Sequence, residues 1–182
     1  STRRNSFSSA YSREAFLHIS LAIEPVLKGE ASASERNAML MGSAFAGLAI
    51  ENSMLGAAHA SANPLTASCG LAHGHAVALM LPHVIGLNEE APEASETYAH
   101  YGTLLSSCRG VDWGVRAWIE HLLTVANLSP LAQCGVDPGV FPELAEDATR
   151  QWTGQFNPRS MKRDDFAVLY QSAFGGAATQ DT

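Results

Sequence analysis

Charge is scarce in these 182 residues. Asp, Glu, Lys and Arg together make up 16% of the chain, and the excess is acidic, with a formal net charge of -7. Non-specific binding to nucleic acid or to an anionic membrane needs Lys and Arg in excess. Arg3-Arg4 is the only basic pair near the start, so both functions are disfavoured. Long apolar runs are missing too: no window holds the roughly 18 uninterrupted apolar residues that span a bilayer. The stretch Ser1–Ser9 is polar and lacks the apolar run of a signal peptide. Cysteine is limited to Cys69, Cys108 and Cys134, with no CxxC pair. An odd count suits no closed disulfide framework, and reduced thiols in a cytoplasmic protein are the expectation. Cys69 has a lesser second reading, as a neighbour to a metal. Alternating β-branched runs with hairpin turns are absent, as are repeats, heptad seams and low-complexity blocks.

What is present favours helices. Hydrophobic residues reach 46% against 8% aromatics, and much of the apolar content is Ala, Leu and Met. Ala and Leu cost little conformational entropy in a helix. Ser9–Lys28 places Tyr11, Ala15, Phe16, Ile19, Ile23 and Leu27 on one stripe, with Pro25 as a kink and Gly29 as a stop. Ser32 and Glu35 have capping-box spacing. They open a helix over Glu35–Met54 that is apolar nearly all round, the mark of a central, buried helix. Residues 55–74 read as short helix, turn and loop, broken at Asn63-Pro64. Further helices are expected over His75–Leu87, Ala94–Ser106, Asp112–Val125, Gly139–Trp152 and Arg163–Phe174. Asp137-Pro138 serves as a helix start, Asn157-Pro158 as a connector and Gly175–Thr182 as a frayed tail. The expectation is an all-α, multi-helix, bundle-like fold of six to eight helices, forming a single domain over 1–182.

Four of the seven histidines, His59, His73, His75 and His83, fall within one segment. Imidazole is a ligand for zinc, iron, copper and nickel alike. His59 is expected to end one short helix and His73 to stand at the entrance to the next. Two helix ends can bring such residues together on one ion. Two ligands are fewer than the three or more of a catalytic site. A lone histidine among Ala and Gly is more often a satisfied structural residue, and this applies with most force to His83, His100 and His121.

Gly47, Asn52, Gly56, His59, His73-Gly74 and Leu81-Pro82-His83-Val84 stand in a pattern that resembles the signature region of the iron-containing alcohol dehydrogenases. The fourteen-residue step from His59 to His73 matches as well. The closing stretch, with Asn157-Pro158-Arg159 and Asp165-Phe166 to Tyr170, is similar to that family's C-terminal end. The resemblance implies a dehydroquinate synthase-like C-terminal helical domain, incomplete at its N-terminal side. It implies His59 and His73 as ligands of Fe(II) or Zn(II), with an Asp and a first His expected before Ser1. It also implies a Rossmann-like NAD(P)-binding domain, of which these residues show no Gly-rich phosphate loop. Many members carry a histidine, discussed as a proton relay, where Asn63 stands here. Asn63 then lines the substrate side but cannot exchange a proton near neutral pH, and His75 is a candidate stand-in with a surface role as its alternative. Small alcohols or aldehydes are the implied substrates. This chain alone is expected to be inactive. The implied partners are a separate nucleotide-binding chain or a second copy, which could also share a metal through His59 and His73 of both chains. A non-catalytic helical module that dimerises is the alternative.

Overall fold

The computed structural model describes residues 1–175, and among them every regular element is helical. The helices are α1 (Ser6–Leu27), α2 (Ala33–Ser53), α3 (Ala57–Cys69), α4 (His73–Asn88), α5 (Pro92–Arg109), α6 (Val115–Val125), α7 (Phe141–Arg150) and α8 (Arg163–Gly175). Short 3-10 turns lie at Leu131–Gln133, Pro138–Val140 and Trp152–Phe156. The all-α expectation holds. Gly175 closes α8, and the remainder of the expected tail lies outside the described residues. No single helix among the described residues is long and apolar enough to cross a membrane. The chain divides into two compact units, residues 1–54 with 91–126, and residues 55–90 with 127 onward.

The first unit holds α1, α2, α5 and α6. Asn5 caps α1, its Oδ1 accepting from the Phe7 and Ser8 amides at 3.0 Å each. The expected box opens α2: the Ser32 amide donates to Glu35 Oε2 at 2.7 Å and the Glu35 amide to Ser32 Oγ at 3.2 Å. α1 and α2 approach closely at Gly42, where a Cβ would stand 2.6 Å from Ile19 Cγ1. Leu105, Trp118 and Leu122 form a small core with Phe16 and Ile23 against it. Beside it, Glu24 accepts from Arg109 at 2.8 Å and from His121 Nε2 at 3.1 Å, and Arg109 also donates to the Ser20 carbonyl.

The expectation of a central, buried α2 is overturned. Only Gly42 and Ala49 are buried on it, while Leu40 is 71% and Leu48 45% exposed. α2 packs chiefly on α1, so one side of an all-round apolar helix is covered and the other is not. The helix ends at Met54, whose φ of 73° and ψ of 171° lie in a region that non-glycine residues enter only under strain.

The second unit packs α3, α4, α7 and α8 around one larger core, with Leu65, Met80, Leu144, Phe166 and Leu169 among its most buried side chains. The expected break at Asn63-Pro64 does not occur: α3 runs through Pro64, as α4 runs through Pro82. Each proline gives up one backbone hydrogen bond. Both rings are buried, and the flanking Ala60, Ala62, Leu65 and Met80 are fully enclosed, which offsets that loss. α3 ends at Gly70, in the left-handed conformation that glycine adopts without strain. Tyr170, fully buried on α8, donates its hydroxyl to the Ser61 carbonyl at 2.7 Å. α7 is shorter than expected because Asp137 caps the separate turn at Pro138–Val140, its Oδ1 accepting from the Gly139 amide at 2.9 Å.

Asn157 joins three parts of this unit. Its Oδ1 accepts from the Ala57 amide at 3.2 Å and from Asn88 Nδ2 at 3.1 Å. Its Nδ2 donates to Asn88 Oδ1 at 2.6 Å and to the Arg159 carbonyl at 2.8 Å. Asn157→Ala strips four bonds from buried groups and should cost about 3 kcal/mol, since a buried polar group left unpaired costs roughly 1–3 kcal/mol. Chemical denaturation of the variant beside the wild type checks this, and a loss below about 1 kcal/mol would refute the bracing role.

Candidate metal centre

Gly56 has no side chain to cap α3, so the Ala57 amide takes its acceptor from Asn157 across the unit. A Cβ at Gly56 would lie 3.1 Å from that same Oδ1, so the small residue makes room for the brace. His59 follows two residues later, in the first turn of α3. It was expected at a helix end, and α3 instead begins just before it because Leu55 and Gly56, not Asn63-Pro64, form the break. His73 is the first residue of α4, as expected.

The two imidazoles face each other with ring centroids 5.4 Å apart and planes tilted by 50°. His59 is half-buried and His73 exposed. Burial first, and then the neighbouring His73, hold His59 below the ordinary histidine range. A neutral imidazole is the form that ligates a metal. The donor set therefore fits part of a transition-metal shell. Among the described residues no group of three or more His, Cys, Asp or Glu could hold a metal ion, so the pair is short of the three protein ligands of a catalytic site.

Asn63 lies one helical turn after His59 on the same face of α3. Its Nδ2 donates to Gln151 Oε1 at 2.9 Å. Gln151 ends α7 and begins the turn that carries Trp152, which is 59% exposed and stacks edge-on with Phe156. Nothing local in the sequence marks Gln151, because its bond to Asn63 spans 88 residues.

The other candidates do not join the pair. His75 Nε2 donates to the Ser129 carbonyl at 2.8 Å, which ties down the loop after α6 and gives the residue a structural task. His83 lies ten residues along α4 from His73, about 15 Å at 1.5 Å per residue. Cys69 is as far from His59 along α3, and burial raises its thiol pKa. His121 is engaged with Glu24 and Trp113, and His100 packs on Tyr101.

Comparison with known proteins identifies the family. The family model described as the C-terminal part of the Fe-containing alcohol dehydrogenase family matches residues 1–174. The chain belongs to that family. It is 29% identical over 144 residues to 1,3-propanediol dehydrogenase from Klebsiella pneumoniae, covering 76% of this chain and 37% of the relative. It is 34% identical over 160 residues to a 1-propanol dehydrogenase from Citrobacter freundii, covering 84% and 40%. The crystal structure of a 1,3-propanediol oxidoreductase superposes with a TM-score of 0.85 at 28% identity, over 94% of this chain and 46% of that one. The chain thus spans less than half the length of these relatives.

A histidine whose folded pKa lies below its unfolded value of about 6.5 makes the unfolded chain the better proton binder. The His59 contribution leaves stability untouched above about pH 7 and removes it as pH falls from about 6.5 through the folded value. In the metal-free chain, NMR titration of the imidazole Cε1–H signals should place His59 below 6.5, and His73→Ala should move it upward. A His59 titration at or above 6.5 would refute the environment described.

Proposed function

We propose that this chain is the metal-binding helical portion of a metal- and NAD(P)-dependent oxidoreductase acting on small alcohols or aldehydes. The observation that carries this reading is the convergence of His59 and His73 from the starts of two helices at 5.4 Å. These two residues would hold Fe(II) or Zn(II), and further ligands come from outside the chain. When bound, the metal supplies Lewis-acid polarisation of a substrate oxygen, next to a nicotinamide that carries the hydride chemistry. The first turns of α3 and α4 present the two imidazoles, with that of His59 already favoured in its neutral form. Asn63 stands on the substrate side, offering hydrogen bonds without taking or giving a proton near pH 7. Gln151 holds its amide group in place.

Because the metal shell is partial and no nucleotide-binding fold is among the described residues, the chain alone is inactive in this reading. It works in the cytoplasm with a nucleotide-binding half. A second reading, of a non-catalytic helical module that binds a protein surface, is favoured by the exposed apolar side of α2.

Titration of the purified chain with Fe(II) and Zn(II), beside His59→Ala/His73→Ala, separates the two. The first reading expects weak binding that disappears in the double variant, and no alcohol-dependent NAD(P)H formation by the chain alone. Equal binding by both proteins would remove His59 and His73 from the metal site. Dehydrogenase activity of the isolated chain would overturn its dependence on another half.

A further inference from the structure

We propose that the exposed face of α2 is a self-association surface, on which two copies of this chain pair their α2 helices antiparallel about a two-fold axis. This deepens the second reading above and rests on it. Arg36, Leu40, Ala44, Gly47, Leu48 and Glu51 recur at steps of three and four residues, so they lie on one stripe of the helix. All six are exposed. From Asn37 to Ile50 no residue is charged, which leaves the stripe uncharged over about four turns, with a cation at one end and an anion at the other. Neither Arg36 nor Glu51 forms an ion pair among the described residues.

The stripe is complementary to itself. An axis passing between Ser43 and Ala44 sets Arg36 of one copy against Glu51 of the other, twice. The same register sets Leu40 against Gly47. A Cβ built on Gly47 meets nothing within 4 Å, so the space above it is open, and Leu40 is 71% exposed and able to fill it. With Ala44 and Gly47 at the contact, the axes can approach to about 8 Å, the near end of the usual range. A parallel pairing about a two-fold axis would instead set Arg36 against Arg36. The chain carries a net charge of -7, so two copies repel over most of their surface. The α2 stripe is neutral overall and apolar between its ends, which makes it a place where an acidic chain can meet itself. The two-fold axis doubles every favourable contact.

Sedimentation equilibrium of the metal-free chain at low ionic strength tests this with three variants. The wild type is expected to be dimeric, and Leu40→Glu monomeric with unchanged helical circular dichroism. Arg36→Glu should weaken the dimer by about tenfold, and adding Glu51→Arg should restore it to within about threefold. Both swaps place charge favourably for the helix dipole, so a weakened dimer cannot be blamed on a melted α2. A dimer indifferent to Leu40→Glu would overturn this surface while the second reading stands. Failure of the double swap to restore the dimer would overturn the antiparallel register. A wild-type monomer at all concentrations would overturn the surface and leave the second reading without its dimer. If that monomer also bound a separately expressed nucleotide-binding half, and Leu40→Glu abolished that binding, the face would belong to that half.

Discussion

The amide group of Asn157 uses both of its donors and both acceptor positions inside the second unit, and the candidate site depends on that satisfaction. A helix beginning at Gly56 has no capping side chain of its own, and its first amide would otherwise be a buried orphan. Asn157 supplies the acceptor and, through Asn88, grips the far end of α4 with the same group. His59 lies in the turn fixed at one end of this brace, and His73 opens the helix fixed at the other. The brace thus contacts both helices that carry the imidazoles, at the start of α3 and at the end of α4. Arg159 continues the brace: its backbone carbonyl binds Asn157, while its guanidinium pairs with Asp165 at 2.8 Å and Glu90 at 3.1 Å. Asn157-Pro158, read in the sequence as a connector, holds the unit together with Arg159.

What could be read in advance was whatever chemistry is local. Ser32 and Glu35 declare their helix start because the two partners are three residues apart, and His59 and His73 stood out as a candidate pair because their residue type and spacing match a longer pattern. The prolines misled for a physical reason. Local chemistry counts the hydrogen bond lost at Pro64 and cannot count the burial of Ala60, Ala62 and Leu65 that offsets it. The bond from Asn63 to Gln151 was invisible because its ends meet only after the chain has built α4 to α7. His75 could be weighed but not decided, since its partner is a backbone carbonyl on a distant loop.

The substrate side of the proposed site differs electrically from the metal side. His59 titrates, and burial sets the pH at which it does so. Asn63 and Gln151 form an amide-amide pair that carries no charge at any ordinary pH, so its geometry does not follow protonation. A histidine at position 63 would add a third imidazole one turn from His59, in a region where burial already disfavours the charged form. An asparagine there removes a proton exchanger and also removes that electrostatic conflict. If protons move during turnover, they must do so through groups other than position 63.

The same logic of burial bears on α2. A helix apolar nearly all round is a statement about two faces, and α1 covers one of them. Leaving Leu40 and Leu48 partly in water forgoes a fraction of the roughly 1.5–3 kcal/mol that full burial of such a side chain returns, the larger share at Leu40. That free energy is available to whatever surface meets α2. An apolar face alone accepts many partners, whereas Arg36 and Glu51 at opposite ends of the stripe, and the open Gly47 between them, restrict which ones fit. The restriction is satisfied by the stripe itself turned end for end.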